Sequence, residues 1–220
     1  YNDAYPLSKT IFDHQKLSLG AFASGANIYW EQNAHQLYHP IRHFDHFWDT
    51  LQSNVGTFKD YGRMLQLYLF SRKEQSQELY RPLPLTAMDL LMAMGFSPQI
   101  MQRFFQPFFG GVLLDTSLEV STQYFLFLFR MFVEGRSCLP KEGMGALSQQ
   151  LVSMLGPDAI TFDTEVLEVG QSHVEVIDGS QQADAVVLAT EFSSKLAVDA
   201  TRYLWKPTQN LYFDVEHLPY

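Results

Sequence analysis

Four histidines, His35, His39, His43 and His46, are spaced by four, four and three residues. On an unbroken helix that spacing stacks imidazoles on one face, as a zinc site requires. Pro40 stands inside the run and the residues before it alternate like a strand, so the helix such a site needs is not expected. Only Asp45 and Asp49 lie nearby to complete a shell, and the expectation is surface histidines at a strand-to-helix junction with no metal. The single cysteine, Cys138, has no CxxC partner and no helix start beside it, so despite the nearby Arg136 it reads as a buried, inert thiol. There is no GxSxG elbow, no HExxH and no GxxxxGK(S/T) loop. No catalytic residue is nominated. The remaining candidate is Gly143-Met144-Gly145 at the start of a helical pattern. Ser148 occupies the third glycine's place of a dinucleotide fingerprint and no apolar strand runs into the turn, so a Rossmann loop is not expected. A glycine turn that sets a helix N-terminus beside a ligand stays open.

Composition narrows the classes. The 220 residues include 15 basic and 24 acidic side chains, a net charge of -9, which argues against a nucleic-acid partner because duplex binding needs clustered cations. The longest strongly apolar stretch, residues 124–129, reaches 133 only by crossing Arg130, about half of a bilayer span, so no transmembrane segment is expected. No charged and then apolar leader opens the chain, and one cysteine calls for no oxidising compartment; a cytoplasmic protein is expected. Aromatic residues make up 15% of the chain, with 18 Phe and 11 Tyr, which suits either a Phe-rich core or an apolar ligand cavity.

The elements that must position these residues are mixed. Residues 26–32 (ANIYWEQ) and 35–41 (HQLYHPI) predict a hairpin with Asn33-Ala34 at its tip. Phe44, Phe47, Trp48 and Leu51 predict a short amphipathic helix. Thr57 with Asp60 is a capping-box pattern opening a longer helix with Tyr61, Leu65, Tyr68 and Leu69 on one face. Thr86 with Asp89 repeats the signature before a Leu/Met run that stops at Gly95. Ser97-Pro98 starts a helix over 98–106, closed by Pro107, and Gly110-Gly111 predicts a turn or a close backbone approach. Residues 121–133 predict a buried, nearly all-apolar helix, and 147–155 an amphipathic one ended by Gly156-Pro157. Short β segments are expected at 160–162, 166–169, 174–177 and 185–189, with a turn at Asp178-Gly179, and an alternating segment at 210–215. The fold class is mixed α+β.

One ordered series of segments carries a resemblance: RFFQPFFGGVLLD (103–115), FRMFVEG (129–135), LPKEGMGAL (139–147), TEVLEV (164–169) and DAVVLATE (184–191). Together they resemble the FAD-dependent amine oxidase and phytoene desaturase superfamily, especially its bacterial-type phytoene-dehydrogenase-related oxidoreductases. The resemblance runs over nearly all of the chain and is strongest from Arg103 to Glu191.

The resemblance implies a central piece of a larger enzyme, with a glycine-rich ADP-binding βαβ unit before it and a second flavin-contacting segment after it. Residues 1–138 would be a helical and sheet substrate-binding portion, 139–192 the middle segment and small β meander of an FAD-binding domain, and 193–220 a return to the substrate domain. Val166 matches the position whose backbone approaches the adenine of FAD. Ala189 and Thr190 match a strand end near the cofactor, where Glu191 departs from the usual Gly, Pro or Asp. Gly143, Met144 and Gly145 match a glycine turn facing flavin and substrate. Phe108, Phe109, Gly110 and Gly111 match an aromatic-glycine stretch near the substrate cavity. Each also has a plain structural reading: a core strand residue for Val166, core packing for the two phenylalanines, a turn for the glycine pair. The implied function is transfer of a hydride from an apolar or amphiphilic substrate to FAD, with flanking polypeptide completing the site and this piece alone inactive and poor in FAD. The alternative is a non-enzymatic module that binds a hydrophobic ligand or a partner protein with its aromatic helices.

Overall fold

In a computed structural model the chain is mixed α+β. The structure describes residues 1–23, 25–31, 33–38, 53–73, 85–156, 158–189, 208–211 and 214. They fall into two compact units, Tyr1–Leu151 with Thr208–Tyr220, and Val152–Pro207.

The first unit begins with α1 (Pro6–Ile11), whose proline occupies the first helical turn where its missing N–H costs nothing. Strand β1 (Leu19–Ala21) pairs antiparallel with β4 (Cys138–Pro140), a partner more than a hundred residues away in sequence. The N-terminal residues are tied to the same region. Asp3 N–H donates to the Arg136 carbonyl at 3.1 Å and Cys138 N–H to the Tyr1 carbonyl at 2.7 Å. The Arg136 backbone N–H and Nε donate to the two Asp3 carboxylate oxygens at 2.6 and 2.8 Å. The path is tight: a Cβ on Gly135 would sit 1.9 Å from Asn2 Oδ1.

The expected hairpin forms from β2 (Gly25–Trp30) and β3 (Asn33–Tyr38), with one difference. Trp30 pairs with Asn33, so the tip lies two residues earlier than expected and Asn33 and Ala34 belong to the strand. A two-residue loop needs left-handed backbone, which Glu31 supplies at φ 49°, and Asn33 Nδ2 donates to the Glu31 carbonyl at 3.0 Å. His35 sits on β3 opposite Ile28. His39, His43, His46 and the helix expected around Phe44 to Leu51 lie outside the described residues.

Helix α2 (Phe58–Lys73) starts at the Thr57–Asp60 signal, but its buried face is not the expected one. Asp60, Leu67 and Ser71 are buried, whereas Leu65 and Leu69 are 57% and 51% exposed. The cause is Asp60, which has no exposure at all. Its carboxylate accepts from Thr57 N–H at 2.7 Å, Thr57 Oγ1 at 2.6 Å, Ser97 N–H at 2.9 Å and Ser97 Oγ at 2.6 Å. Arg63 Nη1 lies 3.5 Å away. Burial pushes the Asp60 carboxyl up, yet the hydrogen bonds from Ser97 and Thr57 outweigh it and hold the group below the usual carboxylate value.

Helix α3 (Ala87–Ala93) carries the expected capping box of Thr86 and Asp89 and ends before Gly95 at φ 78°. Ser97 caps α4 (Pro98–Ile100), but Pro107 does not close the helix and Gly110-Gly111 does not break it. The chain continues through a π-helical segment, α5 (Met101–Phe109), into α6 (Gly110–Leu113), and stops at Leu114 with φ 52°. Winding one residue wider per turn leaves space where a proline ring would collide with the preceding turn of an α-helix. The close-approach reading of Gly110 holds, since a Cβ there would lie 3.0 Å from Thr116 Cα. Helix α7 (Thr122–Glu134), capped by Ser121, is buried as expected at Phe125, Leu126, Leu128, Phe129 and Met131. Helix α8 (Gly145–Ser153) starts earlier than expected, directly at the glycine turn.

The core of this unit is aromatic. Phe105, Phe109, Phe125 and Phe129 are buried, with Phe109 in edge contact with Phe125 at 4.9 Å between ring centres and Phe105 in edge contact with Phe96 at 4.9 Å. Such pairs add about 0.5–1.5 kcal/mol each beyond the area they bury.

The second unit holds a three-stranded antiparallel sheet of β5 (Val166–Val169), β6 (His173–Val176) and β7 (Gly179–Gln182). The strands expected at 160–162 and 185–189 are absent, and β7 was not expected. It is polar, and its place comes from the two-residue return after Val176, with Gly179 at φ 132°. Pairing register puts Val166, Val169, Val174 and Val176 on one face and Glu168, His173 and Glu175 on the other.

Replacing Asp60 by Asn removes the charge and half of its accepting capacity, and should lower stability by about 2–3 kcal/mol, read as a fall in melting temperature. Because the folded carboxyl sits below its ordinary 3.8, the stability it contributes is present above that value and is lost as pH falls below it. Acid titration of the Asp60→Asn protein should therefore show a shallower loss of stability in that window than the parent. Gly135→Ala should cost roughly 1–3 kcal/mol by forcing Asn2 aside, measured by denaturant unfolding.

Candidate functional site

The half-buried aromatics at the margin of the core come from two helices that the capped starts at Ser97 and Ser121 orient. Phe104 and Phe108, four residues apart on α5, stack at 5.5 Å, and Phe108 meets Phe132 of α7 edge-on at 5.0 Å. Phe109 points the other way and is sealed among Phe125, Phe129 and Phe132. Gly110 is buried against Thr116 and Gly111 is exposed with nothing near its Cβ direction. Phe108 is therefore placed at a margin, Phe109 in the core, and Phe104 and Phe132 join Phe108 although the sequence did not single them out. Their signal was the four-residue spacing on one helix and the all-round apolar character of the other.

Gly143, Met144 and Gly145 form an open turn. Gly143 has φ 83°, which a side chain would strain, and its N–H donates to the Pro140 carbonyl at 2.9 Å. No atom lies within 4 Å of a Cβ built on Gly143 or Gly145, and Met144 is 48% exposed. This bare backbone leads straight into α8, whose Ala146 and Leu147 N–H groups donate back to the Gly143 and Met144 carbonyls at 3.2 Å and close the turn. The helix is anchored behind the turn: Gln150 Oε1 accepts from Asp13 N–H at 2.9 Å and its Nε2 donates to the Asp13 carbonyl at 3.2 Å.

In the second unit, Val166 opens β5 opposite Val176, is 38% exposed, and is followed by a register irregularity before Glu168. Ala189 is exposed and outside any strand, and Thr190 lies outside the described residues. The reading of Ala189 as a strand end is thus not met.

The titratable groups serve structure. Burial pushes the Cys138 thiol up, and Sγ lies 3.5 Å from the Arg136 carbonyl, so it is a poor nucleophile. Burial alone pushes the Asp3 carboxyl up, but hydrogen bonds from Arg136 bring it below the usual range. Burial pushes the Tyr5 and Tyr61 phenols up. One polar cluster escaped the sequence: Tyr1 Oη lies against Ser8 Oγ and 2.6 Å from His14 Nε2, with Ser8 Oγ 3.3 Å from the same nitrogen. It depends on how the N-terminal residues fold back, which no local pattern encodes. Two buried polar side-chain atoms, Trp30 Nε1 and Gln123 Oε1, have no hydrogen-bond partner among the described residues. Those residues also hold no group of three or more His, Cys, Asp or Glu able to bind a metal, and no helix long and apolar enough to cross a membrane.

No curated protein matches the chain. A family model described as flavin containing amine oxidoreductase matches residues 10–211, which takes in both the aromatic helices and the glycine turn. A match over residues 10–211 of the 220 shows that the protein belongs to the flavin containing amine oxidoreductase family.

Proposed function

We propose that these residues are the substrate-domain region of an FAD-dependent oxidoreductase, of the phytoene-dehydrogenase-related type, acting on an apolar or amphiphilic substrate in the cytoplasm. The observation that carries the reading is the family match over residues 10–211. When bound, the flavin supplies the chemistry by accepting a hydride from a substrate C–H bond. The residues present suit such a group. The Gly143–Gly145 turn has open space where side chains would stand, and Val166 offers strand backbone with an exposed side chain. In this reading Gly143, Met144 and Gly145 come against the cofactor, and flanking polypeptide supplies the pyrophosphate loop.

The protein's own contribution is apolar. Phe108, flanked by Phe104 and Phe132, would hold an apolar substrate and exclude water, and Gly110 and Gly111 keep the adjoining backbone slim. Such a reaction needs no acid or base at the aromatic surface, which agrees with side chains whose shifted ionisation is explained by structural hydrogen bonds.

The test is flavin retention. The 220-residue chain should purify without stoichiometric flavin absorbance, and a longer protein that includes a glycine-rich βαβ unit should retain it. Stoichiometric flavin on the 220 residues alone would show that no flanking loop is needed, and a longer protein that binds a hydrophobic ligand but no flavin would favour the non-enzymatic module. Gly145→Val separates fold from function: its Cβ direction is open, so the melting temperature should hold within about 1 kcal/mol of stability, while flavin retention in the longer protein should fall at least about tenfold. Phe108→Ala in that protein should raise KM for an apolar substrate with flavin content unchanged.

A further inference from the structure

Among the described residues every arginine but one meets a carboxylate: Arg63 on Asp60, Arg72 and Arg130 on Glu134, Arg136 on Asp3. The exception is Arg103, half-buried on α5. Its guanidinium lies over the Trp30 ring, 4.9 Å from the ring centre, and Nη1 donates to the Asn54 carbonyl. No carboxylate of the described residues pairs with it, not even that of Glu31, which follows Trp30 at the hairpin turn. In a chain of 24 acidic and 15 basic side chains, a partly buried cation without a counter-charge stands out.

The ring beneath it has a matching deficit. Trp30 Nε1 is buried and has no hydrogen-bond partner among the described residues, a state that costs a donor its lost hydration. An indole nitrogen only donates and a guanidinium only donates, so stacking one on the other leaves both short of an acceptor. The pair also adjoins the aromatic surface. Arg103 directly precedes Phe104 and stands one π-helical turn before Phe108, and those two rings stack at 5.5 Å.

We propose that Arg103 and Trp30 bind the carboxylate of an amphiphilic acid whose apolar chain lies on Phe104 and Phe108. This rests on reading that surface as the substrate surface, and it narrows the ligand to a long-chain carboxylic acid. The planar guanidinium presents its fork to both carboxylate oxygens, the Trp30 ring holds the fork in one plane, and the indole N–H supplies a further donor. An apolar chain beside the pair keeps water away and strengthens the attraction. A hydrocarbon leaves both groups unpaired, an alcohol brings an oxygen without charge, and an alkylammonium brings only donors and a repelling charge.

Calorimetric titration with decanoate, 1-decanol and decylammonium reads the head group without needing flavin. Decanoate should bind the protein at least about tenfold more tightly than decanol, with decylammonium weakest. Arg103→Met should lower decanoate affinity at least about tenfold and leave decanol binding as in the parent. Arg103→Lys keeps the charge but not the fork, so it should retain only part of the preference, and it decides the matter if Arg103→Met lowers the melting temperature. Trp30→Phe keeps a ring beneath the guanidinium and should weaken decanoate alone. A parent that binds none of the three, or binds decanoate no better than decanol, overturns the proposal. So does an Arg103 variant that weakens decanoate and decanol alike, because Arg103 then only holds the hairpin on α5. Flavin retention by the longer protein is read separately: loss of the head-group preference with flavin retained sinks this proposal alone, and the preference without flavin sinks the oxidoreductase reading alone.

Discussion

A single buried carboxylate sets the geometry of the helical unit. Asp60 receives two donors from the residue that opens its own helix and two from Ser97, which opens the α4 to α6 run. Charge-assisted hydrogen bonds are stronger than neutral ones, and a carboxylate with no exposure must have them. The result fixes the rotation of α2 and the starting point of the segment that carries Phe104, Phe105, Phe108 and Phe109. Facing that segment, α7 is held by Ser121 and by Thr122 Oγ1, which donates to the Leu85 carbonyl at 2.7 Å. The aromatic core forms between two elements whose beginnings are specified by polar bonds and whose lengths are specified by apolar packing.

That division of labour explains which features were legible. Capping is local chemistry, so the Thr86–Asp89 box and the Ser97-Pro98 start could be read from neighbouring residues. The buried helix over 122–134 was legible because it is apolar on every side. The face of α2 was not, since its orientation depends on Ser97, a residue 37 positions away. The small sheet shows the same limit from the other direction. Val-rich residues 185–189 suggest a strand and make none, whereas Gly179–Gln182 makes one with no apolar side chain, because a tight return brings it alongside β6.

The candidate site was legible in part for related reasons. Gly143 and Gly145 announced a glycine turn, and the structure has one, left-handed at Gly143 and with open space around it. Phe108 and Phe109 were adjacent in sequence and equal in type, yet one lies at the margin and the other inside. Phe104 and Phe132 became visible only once α5 and α7 were placed together. The Tyr1, Ser8 and His14 cluster needed the N-terminal residues to be drawn back by Asp3 and Arg136. Chemistry encoded in backbone conformation could be seen early; chemistry assembled from distant side chains could not.

The π-helical winding of α5 has an evolutionary implication. A wide turn of this kind is what one inserted residue leaves behind in an α-helix, and each residue in a helix accounts for about 100° of rotation. Lineages that lost one amino acid upstream of Phe108 in this segment would move each following residue into its predecessor's place, which sets the now sealed Phe109 at the rim that Phe108 holds. A family could thus exchange the identity of its outward aromatic without changing any residue type, by insertion or deletion alone.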